Sequence, residues 1–373
     1  MHVLIRTLPL GYGNYGGIIQ AWALQKALVN MGHTPVTDVS ERPRSLPRSA
    51  IKQIALGARS TMPLAWRAIP GDAKRYRDHP LSDFVRDNIQ TTTLFHSTSK
   101  TPRANVLTAV DAFITGSDQV WRSDFADVPS YMFDFLSRGD PRPRIAYAAS
   151  MGSLRQNRWS NGEVAQIREL LGAFSAISTR EDESAAWVRQ EGRRDCEVMP
   201  DPTLLVDTEG YEQLFGRPFV SGVIPDQPYL LAYILDEGTE IDNAVQALAR
   251  RLNLRVVSLE TSPTEQRRTV YEWLGLIRGA SFVATDSFHG TVFSALFNRP
   301  FATYTNKRRG LARFETLARA LGLGAQMIDS QSALATAPVA EIDWATVNVK
   351  VTEMRLRGVD FLRRATLSID EPR

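Results

Sequence analysis

Two kinds of segment take turns along this chain, and their alternation is the tightest constraint on its fold. Short apolar runs stand between stretches whose apolar residues recur at three- and four-residue spacing. In the first half, Val3-Leu4-Ile5 leads through a glycine-rich turn, Gly11 to Gly17, into a helix predicted over 18–30. Gly32 stops that helix, and 35–39 reads as the next strand, which completes a βαβ unit. Further apolar runs lie at 112–114, 145–148 and 173–177, with helices predicted over 163–171 and 181–190, and a strand end with a rigid turn at 198–202. The second half repeats the alternation, with strands at 229–235, 255–259, 282–284 and 300–304 and helices at 241–252, 266–278 and 288–297. A further helix is predicted over 351–367. Strands joined through helices pair in parallel, and a parallel sheet is covered on both faces. The expected class is α/β: two doubly wound domains facing a cleft, with a C-terminal helix. The domains are placed at 1–207, carrying an insertion at 41–80, and at 226–345, followed by the helical segment 346–373. The stretch 208–226 between them is rich in Gly and Pro and lacks periodicity. No internal repeat is apparent.

Composition removes several classes of function. The 373 residues include one cysteine and five histidines, with no HxxxH or HExxH pair. A disulfide framework and a Cys-based zinc cluster are excluded, and no metal site is expected. The 44 basic and 41 acidic residues nearly balance, so the net charge of +3 implies no nucleic-acid partner. No apolar run approaches ~20 residues, and the start of the chain lacks the pattern of a signal peptide. The expected location is cytoplasmic. Residues 51–67 read as a basic amphipathic helix, either an exposed insertion or a peripheral contact with the inner face of a membrane.

In parallel sheets, ligands sit at the carboxyl ends of the strands, so the loops there carry the functional reading. The first loop, Gly11-Tyr12-Gly13-Asn14-Tyr15-Gly16-Gly17, matches GxGxxG, with Asp38 at the end of the next strand. Thr7-Leu8-Pro9-Leu10 separates the strand from the first glycine, which argues against a dinucleotide site. What remains is a helix start whose Asn14, Tyr15, Gly16 and Gly17 can hold an anion or a sugar hydroxyl, or a glycine turn without a ligand. The second loop follows 113–116 with Ser117, Asp118 and Trp121. Asp118 can orient or deprotonate a sugar hydroxyl and Trp121 can stack on a pyranose face; alternatively Ser117 or Asp118 caps the next turn. Arg180 stands where a strand becomes a helix, placed for bidentate binding of carboxylate or phosphate, or for an ion pair with a neighbouring carboxylate. In Thr285-Asp286-Ser287-Phe288-His289-Gly290-Thr291 a helix begins under Thr285 or Ser287, and His289 falls in its first turn. That position attracts phosphate, and an imidazole there can exchange a proton with what binds. Lys307, Arg308, Arg309 and Arg313 follow the next strand, as a solvated charge run or as cations reaching an anionic ligand.

Six segments occur in an order that resembles the polysaccharide pyruvyl transferase family. They are Asn14 to Gly17 with Gln20 to Leu24, Gly116 to Trp121, Tyr147 to Ser150, Ser178 to Glu181, Asp201 to Leu205, and Thr285 to Thr291. The resemblance implies a GT-B-like architecture of two Rossmann-like domains. It implies transfer of the pyruvyl group of phosphoenolpyruvate onto two hydroxyls of one sugar, in a polysaccharide or a lipid-linked precursor. The products are a cyclic ketal and phosphate, and no cofactor is needed. On this reading Arg180, Ser287, Gly290 and Arg309 or Arg313 hold the donor. His289 protonates the enol carbon, and Asp118 or Asp286 takes the hydroxyl proton. Some members carry Arg two residues before the histidine; Ser287 stands there in this chain, so another cation must replace it. The rival readings are a glycosyltransferase using a nucleotide sugar and a non-catalytic carbohydrate-binding protein. No motif encodes the acceptor sugar or the oligomeric state.

Overall fold

The described residues form two all-parallel sheets, one of seven strands and one of five. The computed structural model describes residues 1–10, 14–42, 80–96, 99–124, 127–157, 159–215, 224–236, 238–259, 268–305, 310–339 and 341–367. Gly11 and Gly13, the basic 51–67 segment and Lys307 to Arg309 lie outside them. The first sheet holds β1 (His2–Arg6), β2 (Thr34–Asp38), β3 (Thr91–Thr92), β4 (Ala112–Thr115), β5 (Arg144–Ala149), β6 (Ala176–Thr179) and β7 (Glu197–Val198). Its order is β3-β2-β1-β4-β5-β6-β7. The second holds β8 (Tyr229–Tyr233), β9 (Arg255–Ser258), β10 (Phe282–Thr285), β11 (Phe301–Tyr304) and β12 (Met327–Ile328), in the order β12-β11-β10-β8-β9. Strand order reverses between β1 and β4 in one sheet and between β8 and β10 in the other. A crevice opens at the carboxyl ends beside such a reversal.

Helices cover both faces of each sheet. The longer ones are α1 (Tyr15–Asn30), α2 (Pro80–Asn88), α3 (Asn161–Leu171), α4 (Asp182–Gln190), α5 (Thr208–Phe215), α6 (Thr239–Leu252), α7 (Val270–Gly279), α8 (Phe288–Leu296), α9 (Leu311–Leu321) and α10 (Trp344–Leu367). Because side chains alternate along a strand, the first sheet feeds two cores. Val3, Ile5, Ile114 and Ile145 pack with Leu24 and Leu28 of α1 and with Phe361 and Leu362 of α10. Leu4, Phe113 and Ala146 pack with Ile167 and Leu171 of α3. Fully burying one such aliphatic side chain contributes roughly 1.5–3 kcal/mol.

α10 bears on both halves. Val347 and Val351 join the core around α8, whereas Phe361, Leu362 and Ala365 lie on the first sheet. The helix comes close because position 358 is glycine: a Cβ there would stand 2.5 Å from the Tyr147 hydroxyl and 2.6 Å from Leu205 Cδ2. The halves also meet through α1 and α7, where Tyr15 stacks on Trp273 with centroids 5.2 Å apart. At another edge, Asp182 at the start of α4 accepts from Thr316 and Arg319 of α9.

Two readings of the sequence change. The stretch taken as aperiodic contains α5, whose buried Tyr211 and Leu214 form a single i,i+3 pair, too short a pattern to register. α9 was not anticipated, although Phe314, Leu317, Ala318 and Leu321 form its buried face. Among the described residues no helix is long and apolar enough to cross a membrane.

Candidate active site

The loops after β4, β6 and β7 meet the start of α8 at one carboxylate, Asp201. Asp201 follows β7 and opens the tight turn Pro202–Leu204. Its Oδ1 accepts from the Thr203 amide at 3.1 Å and the Thr203 hydroxyl at 2.8 Å. Its Oδ2 accepts from Arg180 Nη1 at 2.8 Å and from the Ser117 hydroxyl at 3.1 Å. His289 Nε2 comes to 3.6 Å of the same oxygen from the other half of the molecule. Burial opposes a charge on Asp201, but His289 and Arg180 outweigh it and hold its carboxyl far below the usual carboxylate range.

Arg180 leaves the end of β6 and is 3% exposed. Beyond Asp201, its Nη2 lies 3.6 Å from Asp118 Oδ1 and its Nε 3.9 Å from Glu181 Oε2. Those two nitrogens make no hydrogen bond. The guanidinium lies 4.8 Å over the ring of Phe288. Burial works against its charge, and the carboxylates of Asp201, Asp118 and Glu181 more than restore it. Burial pushes the Glu181 carboxyl up against the pull of Arg180, Ser184, Ser150 and the Met151 amide. One guanidinium among three acids leaves this corner short of positive charge, so an anionic ligand needs further cations. Arg313 of α9 stands 5.4 Å from the centre of the Phe288 ring.

A family profile described as polysaccharide pyruvyl transferase matches residues 14–308, from the start of α1 through every loop just described. The chain belongs to the polysaccharide pyruvyl transferase family. It is thus a transferase that modifies polysaccharide, with a carbohydrate acceptor and a donor. No curated protein matches the chain in sequence. Among solved structures it is similar to UDP-N-acetylglucosamine 2-epimerase from Rickettsia bellii, at 14% identity and a TM-score of 0.52 over 99% of this chain and 97% of that one. The UDP-GlcNAc 2-epimerase from Neisseria meningitidis bound to UDP-GlcNAc matches at 10% identity and a TM-score of 0.49, over 99% and 100%. At 14% identity the likeness to the first is one of fold: two Rossmann-like domains, the GT-B arrangement.

Within this pyruvyl transferase framework the residues singled out in the sequence separate into three groups. Ser117, Arg180 and His289 come together at Asp201, and Asp118 joins them through Arg180. Gly16 joins them: a Cβ added there would stand 1.9 Å from His289 Nδ1, so only glycine lets α1 pass the imidazole. Ser287 accepts from the Gly290 amide at 3.3 Å and so caps α8, which sets His289 in its first turn.

The second group serves the scaffold. Asn14 caps α1 by accepting from the Gly17 amide at 2.8 Å. Tyr15 is buried against Trp273 and donates to the Arg268 carbonyl at 2.8 Å. Asp286 accepts from the Leu235 amide at 2.7 Å and the Asp236 amide at 2.9 Å, so both its oxygens are engaged by the loop after β8. Trp121, expected to face a sugar, is instead fully buried, edge-on to Phe174 at 6.0 Å. An aromatic beside a polar loop has the same sequence signature whether it turns to the cleft or to the core. Asp38 pairs with buried Arg6, which removes it as a ribose ligand. The third group, Gly11, Gly13 and Arg309, lies outside the described residues.

The sequence reading passed over Asp201 as a site residue, although it stands at a strand's carboxyl end like Asp118 and Arg180. Gln20 was also missed. From α1 it donates to Thr7 Oγ1 at 3.0 Å and accepts from the Ser117 amide at 3.2 Å, fixing the loop that carries Asp118. Among the described residues no group of His, Cys, Asp and Glu is arranged to hold a metal ion.

Proposed function

We propose that this enzyme moves the pyruvyl group of phosphoenolpyruvate onto two hydroxyls of one sugar, in a polysaccharide or a lipid-linked precursor. The observation that supports it most is the bridge from Arg180 through Asp201 to His289, which sets an anion-binding cation beside a proton donor. Arg180 Nε and Nη2, buried without hydrogen-bond partners, suit the donor's carboxylate. The start of α8 and Arg313 suit its phosphate.

In this scheme His289 gives a proton to the methylene carbon, and the neighbouring carbon becomes an oxocarbenium-like centre. The first sugar hydroxyl attacks that centre as Asp118 takes its proton. The carbon–oxygen bond to phosphate then breaks. The second hydroxyl closes the ketal, and its proton leaves with the phosphate. Arg180 and Asp201, themselves buried, stabilise charge in the site.

The test is calorimetric titration with phosphoenolpyruvate and with a panel of nucleotide sugars, followed by phosphate release with a polysaccharide acceptor. Phosphoenolpyruvate binding that is lost in Arg180→Ala, with turnover reduced about 10²–10⁴-fold in Asp118→Asn, is the expected result. Binding of a nucleotide sugar alone would replace this reading with glycosyl transfer on the same fold. Sugar binding without turnover that persists in His289→Ala would replace it with a non-catalytic carbohydrate-binding protein.

A further inference from the structure

The two nitrogens of His289 face different surroundings. Nε2 is buried, makes no hydrogen bond, and points at Asp201 Oδ2 from 3.6 Å. The ring keeps 10% of its side-chain surface. On its other edge Nδ1 meets the backbone of Gly16, in the space a Cβ at position 16 would fill. Among the described residues nothing hydrogen-bonds to Nδ1.

A neutral imidazole carries one proton, and its place is set by what the other nitrogen faces. Opposite a carboxylate held ionised by Arg180, a proton on Nε2 is attracted and a lone pair there is repelled. We infer that Asp201 is a positioning residue that fixes the Nε2–H tautomer, and that Nδ1, beside Gly16, is the atom that carries the proton to and from the donor. Asp201 cannot rotate away. Thr203 holds its Oδ1 through two hydrogen bonds, while Ser117 and Arg180 hold its Oδ2. This inference rests on the proposed reading only for the identity of the proton acceptor; the tautomer stands apart from it.

The experiment is two-bond ¹H–¹⁵N correlation on protein labelled at histidine, with His289→Gln used to assign the resonance. At alkaline pH the expected pattern is a protonated Nε2 and a bare Nδ1. A predominant Nδ1–H form overturns the inference. Asp201→Asn, checked for folding by circular dichroism, is expected to lose the Nε2–H bias and to lower kcat about 10–100-fold, with a smaller change in donor KM. An unchanged tautomer and kcat in that variant also overturns it. Gly16→Ala removes neither Arg180 nor Asp201 and is expected to abolish turnover, because its methyl would occupy the place of the Nδ1 edge of the ring. Turnover within about twofold of the parent in that variant places the proton-carrying atom elsewhere and overturns the inference. If the Nε2–H form is found but phosphoenolpyruvate yields no phosphate, the tautomer stands and the donor reading falls.

Discussion

At the scale of single residues, the site is built on a buried charge balance that cannot be cut at one place. Arg180 and Asp201 are 3% and 2% exposed, and each is the other's shortest ionic contact. Removing the charge of Asp201 leaves a guanidinium buried with weaker partners. Asp201→Asn is therefore expected to lose about 3–5 kcal/mol at neutral pH, read by urea denaturation. The pH dependence follows from the direction of the shift. Asp201 is more acidic folded than unfolded, so its contribution is complete above the unfolded pKa of ~3.9 and falls away as pH drops below it. Glu181 is shifted the other way and contributes the opposite slope, in parent and variant alike. Parent and Asp201→Asn stabilities should thus converge on acidification below about pH 4. A constant gap down to the acid transition would show that the pair is not what stabilises this corner.

Elements were more legible than contacts. Strands and helices with strong periodicity, such as β4 and α8, appear in the structure where their apolar spacing puts them. Hydrophobic spacing is a local signal, and the core that buries it is the same core that forms the element. The candidate site is a set of meetings between elements, and only strand ends are visible beforehand. That is why His289, Arg180 and Asp118 could be singled out, whereas the role of Asp201 as the common partner of His289 and Arg180 could not. It also explains Trp121 and Asp286, whose partners Phe174, Leu235 and Asp236 lie far from them in sequence. The helix that presents His289 depends on its first turn. Ser287→Ala removes the cap on α8 and is expected to cost about 1 kcal/mol in denaturant stability, with an intact fold. A loss well beyond about 2 kcal/mol would mean that Ser287 does more than cap.

Across the whole molecule, α10 ties residues near 361 to a core made by α1 and by the strand residues 3–5, 112–114 and 145–148. Phe361→Ala is expected to cost about 3–5 kcal/mol and to lower the Tm measured by calorimetry. If the loss is under about 1 kcal/mol, α10 is a passive cover rather than a closing element. This geometry also has a consequence for biosynthesis. β1 and α10 are more than three hundred residues apart in the chain, so during translation the part of this face that α1 leaves uncovered is bare until α10 has been made. A nascent first half is thus a natural client for a holdase chaperone. Two halves made as separate polypeptides should stay insoluble unless α10 is supplied with the first.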